Sequence, residues 1–401
     1  MRVPILRDGF LNKLIYIILL MFAFSIPILS FFSVKILVIL LALVLFTYLR
    51  NIIVKEFFVY AWDCILYIGI MILGLIFSED FQSGIRVLET SFSFLAIPVT
   101  IFCIKFYDER RMYQLLYAFI IGITVASFIC LVSATINFIK TGDVQTFFFY
   151  ELTGILDLQP TYLAYYLIFS ITFALHLLFY KKTEVNPILI ALLIVFFFCI
   201  LMLTGGKTSF ISLLFVFSFF ILKYFLDKNN IIQKLTVGLV FLMLVLMFAI
   251  NSFDQENRQV VLNDSWDRFA LWESVLAANP NFILGVGTGD YKAVLNAYYE
   301  AHHMKDFAST SLNSHNQFLQ ILFSNGILGL LSVIFLLTRP LYLAFKHDDT
   351  LGILVFFPFI IYGMTEVFLG RYQGVVFFAF LHQVFIAYYK SLRPSTFLKG
   401  D

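Results

Sequence analysis

The sequence predicts an all-α polytopic membrane protein of about twelve transmembrane helices, with a large loop carrying short helices between the ninth and tenth spans. Three observations lead there. Of 401 residues, 61% are hydrophobic and only 13% are charged, far from the composition of a soluble domain. Apolar runs long enough to cross about 30 Å of hydrocarbon recur along nearly the whole chain. One long polar interval, Asn251 to Gly329, interrupts them.

The apolar runs fall at about 14–32, 34–49, 57–77, 85–104, 113–139, 161–180, 187–204, 208–226, 232–251, 326–345, 351–369 and 374–391. The first follows Arg2, Arg7 and Lys13, but its apolar core is too long for a signal peptide and no Ala-x-Ala site follows, so it reads as an uncleaved helix. Basic residues orient the set. With the N-terminus inside, eighteen of the 27 Lys and Arg residues fall in inner segments, and cytoplasmic loops are where such residues accumulate. Both termini are therefore expected in the cytoplasm and the loop 252–325 outside. No repeat, Pro-rich linker or soluble domain breaks the pattern, so 1–401 is expected to be a single integral membrane domain.

Composition also narrows the partners. A net charge of +2 without a basic face argues against nucleic acid and leaves membrane lipids or lipid-linked molecules. The 51 Phe residues suit lipid-facing surface. Cys64, Cys103, Cys130 and Cys199 all sit in apolar runs, where small packing residues are the natural reading and disulfides are not.

Within the polar interval, Asp264 is placed to cap a helix from Ser265 to Ala278, stopped by Asn279-Pro280. Trp266, Phe269, Trp272, Val275 and Leu276 would share a face resting on the bilayer interface. Arg268, four residues before Trp272, would lie at the same edge, within reach of a phosphate. A second helix is expected to start at Ser314, with Gln317 completing a capping box and His315 at the first helical position. The helix dipole there disfavours imidazolium, which makes His315 a general-base candidate; the alternative is a loop histidine that hydrogen-bonds at a helix start.

Other polar residues are weighed in the same way. Arg268 has the planar fork that suits phosphate oxygens, or it pairs with headgroups or an aspartate. Lys207, in a tight outer turn, breaks the positive-inside pattern, while its Gly-Lys-Thr lacks the earlier glycine and the strand of a P-loop. Gly285, Gly287 and Gly289 could bring backbone amides to an anion or simply make a tight connection. Glu366 and Arg371 flank a short turn, as an ion pair or as the lining of an outer cavity. His302, His303, Asp290 and Asp306 match no metal-ligand spacing.

The order of these features resembles the O-antigen ligase and polymerase superfamily, membrane enzymes that take glycans from undecaprenyl-diphosphate carriers. The resemblance rests on Leu203-Thr204-Gly205-Gly206-Lys207, on Arg268-Phe269-Ala270-Leu271-Trp272 followed by Asn279-Pro280 and Gly285-Val286-Gly287-Thr288-Gly289-Asp290, and on His315-Asn316-Gln317-Phe318-Leu319-Gln320 with Asn325-Gly326-Ile327-Leu328-Gly329. Thr365-Glu366 is similar to a further family position. Two departures stand out. Lys207 stands where the family carries arginine, and Gln159 precedes Pro160 where relatives often have histidine.

The resemblance implies a periplasmic active site in the bacterial inner membrane, with neither ATP, metal nor other cofactor. His315 and Arg268 would be catalytic, while Lys207, Arg268, Glu366, Arg371, Gly287 and Gly289 would hold the diphosphate and glycan. The expected partners are an undecaprenyl-diphosphate-linked glycan donor and lipid A–core or another glycan acceptor. A ligase is the first reading, and a polymerase joining carrier-linked repeats uses the same motifs. A transporter or flippase would place ionisable groups at mid-membrane; here Asp63 and Glu89 lie near span ends and only His382 is central, which disfavours that class.

Overall fold

The computed structural model describes residues 10–48, 54–104, 108–180, 185–224, 238, 259–278 and 281–392. They form helices α1 (Phe10–Ser25), α2 (Ser30–Tyr48), α3 (Val54–Ile76), α4 (Phe81–Ser91), α5 (Ser93–Ile104), α6 (Glu109–Thr141), α7 (Phe149–Thr153), α8 (Pro160–Phe179), α9 (Pro187–Thr204) and α10 (Lys207–Tyr224). After the ninth expected span, which lies outside the described residues, come α11 (Gln259–Ala278), α12 (Tyr291–Ala301), α13 (Lys305–Thr310), α14 (Gln317–Lys346), α15 (Thr350–Gly363) and α16 (Tyr372–Ser391). No strand occurs among the described residues. Among the described residues, six helical stretches are long and apolar enough to cross a membrane, and four shorter apolar helices accompany them. The chain is a polytopic helical membrane protein.

Two helices make the interior. α8 is buried on every side from Tyr162 to Leu178, and α16 from Gly374 to Ala387; a helix apolar all round belongs in the centre of a bundle. Aromatic rings fill the space between them and α6. Phe119 stacks on Phe377 at 5.1 Å, Tyr166 meets Phe377 edge-on at 4.7 Å, and the Tyr166 hydroxyl donates to the Gln373 carbonyl at 2.9 Å. This corrects the lipid-facing reading of phenylalanine. Phe46 and Phe128 do face outward, but Phe22, Phe94, Phe119, Phe377, Phe378, Phe380 and Phe385 are wholly buried. Lipid is as apolar as a side chain, so shape and dispersion, not avoidance of water, hold these helices together.

Several expected boundaries move. The fourth run is broken at Phe92 into α4 and α5. α11 already runs from Gln259, so Asp264 lies inside a helix and does not cap one. Its faces also differ from expectation: Leu271 and Val275 are buried with Leu295, Tyr299 and Phe323, while Phe269 and Leu276 point outward. A 100° step per residue separates Val275 from Leu276, so they cannot share the expected face. The tenth span starts nine residues early, at Gln317, and breaks at Gly326 (φ 64°, ψ −162°).

The two ends of the bundle differ in chemistry. Near the middle, on the side away from α11–α13, a charged cluster bolts α3, α14 and α16 together. The fully buried Asp63 pairs with Arg339, and His382 Nε2 sits 2.8 Å from Asp63 Oδ2. Ala61 leaves helical dihedrals (φ −113°, ψ 20°), and the adjacent Tyr60 carbonyl takes the other Arg339 nitrogen at 2.8 Å. Trp62 lies under the guanidinium at 5.4 Å. Asp63 is therefore no isolated residue near a span end, as its position in the sequence had suggested. Removing one partner leaves a buried charge, so Asp63→Ala should cost about 3–5 kcal/mol, whereas Asp63→Leu with Arg339→Leu should recover most of it. Thermal unfolding of the three proteins in nanodiscs measures the difference.

Candidate active site

The site is assembled at the α11–α13 end from three separate stretches of chain. α11 brings Arg268. Arg268 and Trp272 are one turn apart and share a face, and the Trp272 indole donates to the Ser314 carbonyl at 3.0 Å. Arg268 is thereby aimed at the segment that carries His315. Burial of Leu271 and Val275 against Leu295, Tyr299 and Phe323 seats the helix, each large side chain contributing about 1.5–3 kcal/mol where water is the alternative.

His315 precedes α14 and is not part of it. Asn316 is the N-cap, its Oδ1 accepting from the amides of Phe318 and Leu319 at 3.0 and 3.1 Å. The cap therefore stands two residues later than expected, and with Leu319 three residues on it is no capping box. The Ser314 hydroxyl bonds instead to the Asn316 carbonyl and Gln320 Oε1. Asn313 Oδ1 accepts the His315 amide at 2.9 Å, an Asx turn that holds His315 at φ 43°. The side chain of His315 thus leaves the chain ahead of the helix, and the dipole argument for its first-turn position does not apply.

Glu366 joins the pieces. Its turn follows α15 and is stitched to the start of α14 twice: Asn316 Nδ2 donates to the Met364 carbonyl at 3.2 Å, and the Leu369 amide donates to Gln317 Oε1 at 2.8 Å. Between these two rungs, Glu366 Oε2 lies 3.2 Å from His315 Nδ1 and Oε1 lies 3.3 Å from Arg268 Nη2. Glu366 accordingly pairs with those two residues and not with Arg371, which stands exposed at the head of α16 beyond the turn Phe368–Gly370. The three side chains are 21–33% exposed, screened by protein yet open to a ligand. A carboxylate at Nδ1 selects the tautomer with its proton there, leaving Nε2 as the free acceptor.

Lys207 opens α10 beside this turn. Its side chain lies outside what the structure describes, but Thr208 Oγ1 is 2.8 Å from Thr365 Oγ1 and Ser209 Oγ is 2.6 Å from the Tyr362 hydroxyl. The backbone at 207 is thereby tied to the residues around Glu366.

The glycine run has a different task. The amides of Val286 and Gly287 donate to the Phe323 and Ser324 carbonyls, and the Ile327 amide donates back to Phe282, each at 2.9 Å. These bonds satisfy backbone groups that the break at Gly326 releases. A Cβ on Gly326 would stand 2.1 Å from the Ile283 carbonyl oxygen, so the loop needs glycine there to dock. Gly289 donates to Ser78 Oγ at 2.9 Å, and the Asp290 carboxylate accepts the amides of Glu79 and Asp80 at 2.8 and 2.7 Å. The amides of Gly287 and Gly289, anion-contact candidates in the sequence, are thus committed to fastening the loop onto α3 and α14.

Residues 164–334 match the family model described as O-antigen ligase. Over that stretch the chain is similar to the O-antigen ligase family. Lys207, Arg268, Gly287, Gly289 and His315 lie within the matched stretch, whereas Glu366 and Arg371 follow it. The chain is also 25% identical over 241 residues to an uncharacterized protein of Haemophilus influenzae, a match that covers 52% of this chain and 59% of that protein. Sequence reasoning missed the roles of Trp272, Asn316 and Gln317. The run of polar residues from Asn313 to Gln317 signalled a turn, but several of its members were able to cap, and only the fold decides among them.

Proposed function

We propose that the chain is a glycan transferase of the ligase type. It moves a glycan from undecaprenyl diphosphate to an outer-leaflet acceptor such as lipid A–core, on the periplasmic face of the bacterial inner membrane, with both termini cytoplasmic and 1–401 acting as one integral membrane unit. The observation that carries the reading is the single carboxylate of Glu366 shared between His315 Nδ1 and Arg268. A base oriented by a carboxylate and a cation beside it are the two groups that such a transfer needs.

In this reading His315 Nε2 takes the proton of the acceptor hydroxyl as its oxygen bonds to the anomeric carbon. The bond from that carbon to the carrier oxygen breaks, and its electron pair stays on the diphosphate. Arg268, with Lys207 and Arg371 near the same turn, stabilises the charge that develops there. The diphosphate is already a good leaving group, so neither ATP nor a metal or other cofactor enters the scheme. Glu366 acts through His315, holding its ring.

Deleting the gene and examining the surface polysaccharide tests the proposal. Loss of attached glycan with long carrier-linked chains retained is the expected result. Attachment of a single repeat would assign the polymerase reaction instead, and an unchanged surface polysaccharide would overturn both.

A further inference from the structure

Glu366 also forms part of a narrow cleft on the side of α8. Half-buried Gln159, Thr161 and Glu366 line it together with the buried Tyr162, Tyr165 and Tyr362. The cleft has a volume of about 20 Å³, room for one water-sized group and not for a sugar ring. Tyr165 and Tyr362 pack ring against ring, with centroids 4.1 Å apart, yet they differ in chemistry. The Tyr362 hydroxyl is bonded to Ser209 Oγ at 2.6 Å. The Tyr165 hydroxyl is fully buried, in a residue only 3% exposed, and has no hydrogen-bond partner among the described residues.

Burying a hydroxyl without a partner destabilises a fold, and phenylalanine would fill the same place without that cost. Contacts with Phe359, Tyr362, Phe368 and Phe377 fix the Tyr165 ring, so it cannot swing out to find a partner. We propose that the cleft lined by Gln159, Tyr165 and Glu366 is a subsite for one sugar hydroxyl, which enters past Gln159 and completes the hydrogen bonding of Tyr165. The subsite rests on the glycan-transfer reading and adds to it a point of sugar recognition beside the reacting groups. The hydroxyl belongs either to the donor glycan or to the acceptor.

The test uses the full chain in nanodiscs. The donor is undecaprenyl-diphosphate glycan extracted from a strain lacking this gene, and the acceptor is lipid A–core from the same strain. Tyr165→Phe should leave Tm unchanged or higher, leave kcat within about twofold, and raise one KM roughly three- to tenfold. Gln159→Ala should raise the same KM. A rise confined to the donor KM assigns the hydroxyl to the donor, and one confined to the acceptor KM assigns it to the acceptor. If Tyr165→Phe moves neither KM, whatever its Tm, the cleft is structural and the subsite is overturned while transfer stands. A wild-type protein that transfers glycan neither to lipid A–core nor to a second carrier-linked glycan removes the function and the subsite together.

Discussion

His315→Ala is expected to lower glycan transfer by about 10²- to 10⁴-fold, the usual cost of losing a positioned general base. His315→Gln should fall in the same range, because glutamine fills the space but cannot take the proton. His315 is one-third exposed and its ring has one bonded partner, Glu366, so either variant should fold normally; a lost hydrogen bond costs only about 1 kcal/mol. Glu366→Gln separates the roles. The amide can still contact Nδ1 but no longer selects the tautomer, so transfer should drop even at saturating donor. Transfer by detergent-purified protein, with unfolding temperature and donor binding measured beside it, decides the matter. A folded, donor-binding His315→Ala protein that works within a few-fold of wild type would reduce His315 to a positioning residue.

Arg268→Ala carries the second large effect. Removing a preorganised cation from a developing diphosphate should cost on the order of 2–4 kcal/mol in the transition state, a hundredfold or more in rate. Arg268→Lys should recover only part, since an ammonium cannot hold Glu366 with one nitrogen and offer a planar fork to phosphate with the others. Kinetics at several donor concentrations separates a loss in kcat from one in KM. Near-normal turnover of Arg268→Ala would leave the residue as nothing more than the ion pair seen at 3.3 Å.

How much of this was legible in the sequence differs from residue to residue. Hydropathy alone located the apolar helices, because a span must satisfy its own backbone and be apolar throughout. The short-range signals around 314–317 placed a helix start within two residues, but Ser314, Asn316 and Gln317 all had suitable side chains, and the contacts to Met364 and Leu369 selected Asn316 as cap. Arg268, His315 and Glu366 could each be singled out by chemistry. Their meeting could not, since Glu366 is 98 residues from Arg268 and 51 from His315. The glycines were ambiguous for a related reason: an amide that docks a loop and one that binds an anion need the same residue, and only the carbonyls of Phe323 and Ser324 distinguish them.

The bolt of Asp63, Arg339 and His382 has a consequence for how the chain is made. Arg339 follows Asp63 by 276 residues, an interval of roughly 14–55 s at ribosomal rates of about 5–20 residues per second. During that time α3 waits in the bilayer with an unneutralised carboxyl group, a burden of about 3 kcal/mol at mid-helix that its apolar remainder must outweigh for insertion to hold. Any nascent product that ends before Arg339 keeps Asp63 without this partner. Pulse-chase lifetimes of chains stopped at Ser324 and at Asp349 should therefore diverge, the shorter chain being the less stable in the membrane.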